Sequence, residues 1–181
     1  HWENSQRGIH NVIYECANGV KVLHSINPAS RDFYMSVVLR AGSSFERGAA
    51  VPTGTAHFLE HMLRNPNEVF PTQASIDAYE YGNSKRPRLN TNAATSKKYM
   101  YIFGFSNIKG THRLLKRIAS EVSYPQELFE KFIEKERKII IAEMTEDLKP
   151  EKDPVYKYEQ FMIGNELPNL AARIIGARED V

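Results

Sequence analysis

Two histidines four residues apart, His57 and His61, with Glu60 directly before the second, are the residues of this sequence best placed to act together. On a helix, positions four apart lie on one face a single turn away, so both imidazoles can address one cation. Zinc favours such nitrogen donors together with carboxylate oxygen, and a catalytic zinc takes three protein ligands and keeps its fourth position for water. The pair supplies two ligands and leaves a third to be found. Glu60 lies near the same edge of the helix. It could reach a water whose pKa the ion lowers toward ~7, take its proton as general base and pass that proton to a leaving amine. A His pair alone is more often a hydrogen-bonded core feature than a metal site. The added Glu completes H-x-x-E-H, a hydrolytic zinc pattern whose required context is a helix.

That context is present. Thr55 to Leu63 carries Phe58, Leu59, Met62 and Leu63 at helical spacing, after a polar, glycine-containing loop over 42–54. Upstream, residues 11–17 and 20–26 alternate around Asn18-Gly19 as a hairpin, and Phe33 to Leu39 reads as a third, central strand. Downstream the pattern predicts a short helix over 72–81 stopped by Gly82-Asn83, strands near 89–95 and 98–105, and a helix over 111–121. Ser123, Pro125 and Gln126 then open a long helix, 125–147, closed by Lys149-Pro150, with a shorter helical segment over 154–163. Strands followed mainly by helices indicate an α+β fold: one mixed or antiparallel sheet with helices on one face. Tyr99, Tyr101, Phe103 and Phe105 alternate as one strand face and are expected in the core.

A length of 181 residues with 41% hydrophobic side chains predicts a single domain over 1–181 with a sizeable core. Lys plus Arg number 24 and Asp plus Glu 22, and a net charge of +2 argues against a nucleic-acid partner, Lys85 to Arg88 being a solvated loop. The single Cys16 excludes an internal disulfide framework and reads as an inert core residue. No apolar run approaches the ~20 residues of a membrane helix, and His1-Trp2-Glu3-Asn4 lacks the order of a signal peptide. A soluble chain of the cytoplasm or an organellar lumen is expected, with the compartment open. His10, His24 and His112 fall outside the constellation.

The third ligand should be a carboxylate on an element facing the His helix. Glu134, Glu136, Glu143 and Glu146 are all candidates on the long helix. Glu136 and Glu143 are two turns apart and share a face. Glu143 also follows the apolar run Ile139 to Ala142, and a carboxylate in such surroundings needs a cation or several donors to stay ionised. The competing reading, a solvated face in which these Glu residues alternate with Lys135, Arg137 and Lys138, is open on spacing alone.

The stretch Gly54-Thr55-Ala56-His57-Phe58-Leu59-Glu60-His61-Met62-Leu63, with Glu136 and Glu143 downstream, resembles the pitrilysin family of inverted zinc metallopeptidases, which includes insulin-degrading enzyme and the mitochondrial processing peptidase. The resemblance implies His57, His61 and Glu143 as ligands of one Zn2+ per chain, Glu60 as the base and Glu136 as a carboxylate supporting the site. Arg40 to Glu46 is similar to the family's strand-to-loop segment, and Ile174-Ile175-Gly176 to the run before the next part of the same domain. Asn92-Ala93-Ala94-Thr95-Ser96 resembles its edge strand, which implies that Asn92 and Ala93 hold an extended peptide substrate on unpaired backbone groups.

Two features depart from the family pattern. The 82-residue step from His61 to Glu143 is longer than the family's and implies an insertion near Asn83 to Arg88. The family also closes a chamber from paired homologous domains, and the partner half contributes an Arg and a Tyr. The resemblance therefore implies a partial domain: a zinc endopeptidase domain for extended peptides, weakly active or inactive until a second homologous half joins it as a homo-oligomer, separate chain or further domain. The alternative is a non-catalytic peptide-binding or scaffold subunit, which would need none of His57, Glu60, His61 and Glu143.

Overall fold

A computed structural model of the chain describes residues 2–6, 8–147, 173–177 and 180. Strands β1 (Trp2–Gln6), β2 (Ile9–Glu15) and β3 (Lys21–Ile26) form an antiparallel meander. The expected hairpin at Asn18-Gly19 is present with a wider loop. Cys16 N–H donates to Val20 O at 2.8 Å and Gly19 N–H to Cys16 O at 2.9 Å, so pairing closes at Glu15 and Lys21. The first strand of the hairpin therefore stops before residue 17. Cys16 is exposed in the turn, not buried as expected. β1 has no counterpart in the sequence reading, because its Trp-Glu-Asn-Ser-Gln run shows no apolar alternation.

The second sheet is built from β4 (Asp32–Leu39), β6 (Met100–Asn107) and β5 (Asn90–Thr95), antiparallel in the order β4-β6-β5. The described strands thus make two three-stranded sheets where one was expected, divided at the Asn27-Pro28 break. Between β4 and β5 lie helices α1 (Thr55–Leu63) and α2 (Gln73–Tyr81); α3 (Thr111–Val122) and α4 (Phe129–Asp147) follow β6. The turn at Asn83 is compact. Asn83 and Arg86 exchange backbone hydrogen bonds at 2.9 and 3.0 Å, and the Asn83 side chain accepts from Lys85 and Arg86 amides.

Alternation along β6 decides which face is core. Met100 and Ile102 are fully buried, and with Leu63, Leu89, Ala93, Leu114 and Ile118 they form the centre of the core. The aromatic face expected inside is the outer one: Tyr99 and Phe105 are exposed, and Tyr101 and Phe103 half-buried. The inward row is smaller because α3 lies close against it. A Cβ at Gly104 would stand 2.7 Å from Leu114 Cδ1 and 2.8 Å from Asn90 O, so only glycine leaves room for that approach.

The long helix starts at Phe129, after a tight 3-10 turn over Gln126–Leu128 in which Leu128 N–H donates to Pro125 O at 3.1 Å. Glu136, Ile140 and Met144, spaced by four, are its buried row and face α1. The expected segment 154–163 and the stop at Lys149-Pro150 lie outside the described residues. A buried ionic cluster joins α1, α2, α3 and β5. Arg117 meets Glu80 and Glu121, each at 2.7 Å, Arg64 reaches Glu121 at 3.4 Å, and Thr91 donates to Glu80 at 2.8 Å.

Candidate metal centre

The His helix is held at both ends by groups far along the chain. At its start, Gly54 adopts a left-handed conformation with φ 86°, and its backbone rests against Ile175 and Gly176, where a Cβ would come within 2.6 Å of Ile175 O. The Ile174 to Gly176 run is thereby placed on the first turn of α1. The amides of Gly54 and Ala56 donate to the two carboxylate oxygens of Glu46 at 3.0 and 2.8 Å, satisfying donors that a helix N-terminus otherwise leaves open. Burial pushes the Glu46 carboxyl up despite those two bonds, and nearby Asp180 adds to the rise.

One turn into the helix the two imidazoles stand edge to face, with ring centres 4.7 Å apart. Glu143, arriving from α4, places Oε2 3.8 Å from His57 Nε2 and 3.5 Å from His61 Nε2. One ligand atom from each of the three lies within 4.8 Å of the others. Donors bound tetrahedrally at about 2.0–2.2 Å sit roughly 3.3–3.6 Å from one another, so this nitrogen and oxygen set fits zinc with little movement. The Glu143 side chain is 42% exposed against 16% and 17% for the imidazoles, and the centre opens to solvent on its side.

Glu136 approaches from beneath. Its Oε2 lies 3.2 Å from His61 Nδ1, which fits an Nδ1–H donating to the carboxylate and leaves the Nε2 lone pair on the Glu143 side. Its Oε1 accepts from Asn65 Nδ2 at 2.9 Å and meets Lys135 Nζ at 3.0 Å. Burial pushes this carboxyl up. The bonds from Lys135 and Asn65, the Lys135 charge and the bond to His61 outweigh that and hold it below the usual carboxylate range. The choice among carboxylates that spacing left open is resolved in geometry: Glu134 pairs with Arg137 at 3.0 Å on the solvent face, while Glu136 and Glu143 face the imidazoles. The Glu146 side chain lies outside the described residues.

Glu60 is half-buried and accepts from Thr95 Oγ1 at 2.6 Å, which sets the end of β5 beside α1. β5 is one of the two edges of its sheet among the described strands, β4 being the other. Asn92 and Ala93 lie on it just before Thr95, with Ala93 N–H donating to Asn92 Oδ1 at 2.9 Å and the Ala93 side chain buried. Sequence reading missed the part of Glu46 at the helix start, the bond from Thr95, and Asn65 with Lys135 behind Glu136. Thr95 and Glu46 fall within segments the resemblance picked out; Asn65 follows the helix with no periodic signal of its own.

Comparison with known proteins bears on the fold and the family. The chain is similar in fold to the crystal structure of a peptidase M16 inactive domain from Pseudomonas fluorescens (18% identity, 94% of this chain and 40% of that one, TM-score 0.71). It is similar also to an M16-like peptidase from Alicyclobacillus acidocaldarius (19%, 97% and 40%, TM-score 0.75) and to pitrilysin (22%, 80% and 15%, TM-score 0.63). The chain spans well under half the length of each of these structures. No curated protein sequence matched it. The family model described as insulinase (peptidase family M16) matches residues 21–162. That span holds both imidazoles and all the carboxylates around them, and the chain belongs to the insulinase family of peptidases, family M16.

Proposed function

We propose that the chain is the zinc-binding part of an M16 metalloendopeptidase, a single partial domain over residues 1–181 that acts on extended peptides. The observation carrying this reading is the meeting of His57 Nε2, His61 Nε2 and Glu143 Oε2 on one face, two from a single helix turn and one from a helix packed against it. His57, His61 and Glu143 would hold the ion. Zinc bound there supplies positive charge that polarises the scissile carbonyl and makes water acidic enough to attack at neutral pH.

The chain's own residues do the rest. Glu60 takes the proton of the attacking water and passes it to the departing amine, and Thr95 fixes the carboxylate through its 2.6 Å bond. Glu136 holds the His61 ring through Nδ1. Asn92 and Ala93, on the edge strand that also carries Thr95, offer backbone to an extended substrate. The site opens at Glu143, and charge developing on the carbonyl oxygen is stabilised by groups from a second homologous half. The short coverage of longer relatives supports that requirement. No described helix is long and apolar enough to cross a membrane.

Metal content and a fluorogenic extended peptide test this reading. The isolated chain should bind one zinc and turn over peptide slowly or not at all, with activity appearing on addition of the second half. A preparation that stays metal-free after zinc addition removes the proposal in favour of a scaffold subunit, a reading to which the inactive Pseudomonas domain gives some support.

A further inference from the structure

Asn65 stands just past the end of α1 and is 3% exposed, deeper than either imidazole. Its amide nitrogen has two hydrogens, and both are placed on the metal centre: one bond goes to His61 O at 3.1 Å, the other to Glu136 Oε1 at 2.9 Å. Its oxygen accepts from Lys135 Nζ at 3.0 Å. One side chain thus grips the backbone of His61 and the carboxylate that holds the His61 ring. We propose that Asn65 is a positioning residue of the metal centre, fixing Glu136 so that His61 presents Nε2 to the ion.

The argument turns on the two oxygens of Glu136. Oε2 serves His61, and its direction depends on what restrains Oε1. Oε1 has two donors, Asn65 and Lys135. Lys135 is 55% exposed on a flexible stem, so the buried amide is the rigid one. A residue that merely capped α1 would need only the bond to the His61 carbonyl. The second bond, to a carboxylate 71 residues further along the chain, has no part in capping. Such outer partners orient the ligating ring and fix which nitrogen carries the proton.

This inference rests on the metal-binding reading above, and its test does not need peptidase activity. Zinc affinity of this chain is measured by competition with a chromogenic chelator, and the site geometry by the visible spectrum of the cobalt(II) form. Asn65→Leu, similar in size and without donors, should weaken zinc about tenfold, the low end of the range for outer partners, and shift the cobalt bands. In a Glu136→Ala background the same change should cost nothing further, because Asn65 acts through Glu136. A full loss retained in that background, or zinc affinity unchanged in Asn65→Leu, overturns the proposal. Should Asn65→Leu fail to fold, Asn65→Asp, which keeps the shape and removes the amide donors, should weaken zinc about tenfold, again only while Glu136 is present; no change overturns the proposal. A wild-type chain that binds no zinc overturns both readings. One that binds zinc through His57 and His61 with Asn65 irrelevant overturns this one alone.

Discussion

The cluster around Glu121 and the cluster around Glu143 each bring a helix-borne carboxylate to α1, but only the first is closed by cations of the chain itself. Glu121 is fully buried against the guanidiniums of Arg117 and Arg64. Burial pushes its carboxyl up, and those two charges oppose the rise. Glu143 is half-open, and its ion-pair partners among the described residues are two imidazoles, which carry charge only when protonated. The carboxylate inside the fold is supplied with positive charge by the chain, whereas the one facing imidazoles and solvent is where the proposed zinc would supply it. On the proposed reading the first arrangement serves structure and the second chemistry.

That contrast can be broken at several points. The largest effect is expected from Glu60→Gln in the assembled enzyme: zinc content unchanged and kcat lower by about 10²–10⁴, the usual worth of a positioned base. Unchanged turnover would move the base elsewhere. Arg117→Met, which strands Glu121 without its nearest cation, should destabilise the metal-free chain by about 3–5 kcal/mol in urea unfolding. A loss under 1 kcal/mol would mean that the closed cluster is dispensable. Glu143→Gln should do the reverse, with zinc weakened at least about 100-fold, beyond the loss seen for outer partners, and metal-free stability within about 0.5 kcal/mol of wild type.

The smallest effects are expected at Glu46. Glu46→Ala should cost about 1 kcal/mol as a lost helix cap. Because the folded state raises this carboxyl above its ordinary 4.5, the native chain takes up a proton before the unfolded chain does. Stability relative to Glu46→Gln should therefore grow as pH falls through the raised value, and level off below 4.5. Thermal melts of the two proteins between pH 7 and 4 read the difference, and a gap that narrows on acidification would reverse the sign.

The parts of this molecule legible in the sequence are those written in local spacing. His57, Glu60 and His61 follow from one helical turn, and α1 falls where the pattern puts it, at Thr55–Leu63. Bulk does not mark the core face of β6: Gly104 and Ser106 face inward to admit α3, and the larger rings face out. Glu46, Asn65 and Thr95 were illegible as site residues for another reason. Each acts through hydrogen bonds to groups that the folded chain brings near, and no periodicity announces such contacts. Glu143 and Glu136 lay between these cases: their shared face was readable, and their distinction from Glu134 needed the packing of α4 on α1.

The glycine contact at the start of α1 sets an order of events during synthesis. Only a glycine at 54 leaves room for the backbone of Ile175 and Gly176, and 124 residues separate Thr53 from Ala177, whose N–H donates to Thr53 Oγ1 at 3.1 Å. At the usual ribosomal pace of about 5–20 residues per second, roughly 6 to 25 s pass between the appearance of the His helix and that of the segment that seats its first turn. Glu143 emerges within that interval. The nascent chain therefore exposes His57 and His61 before the segment that seats their helix has been made.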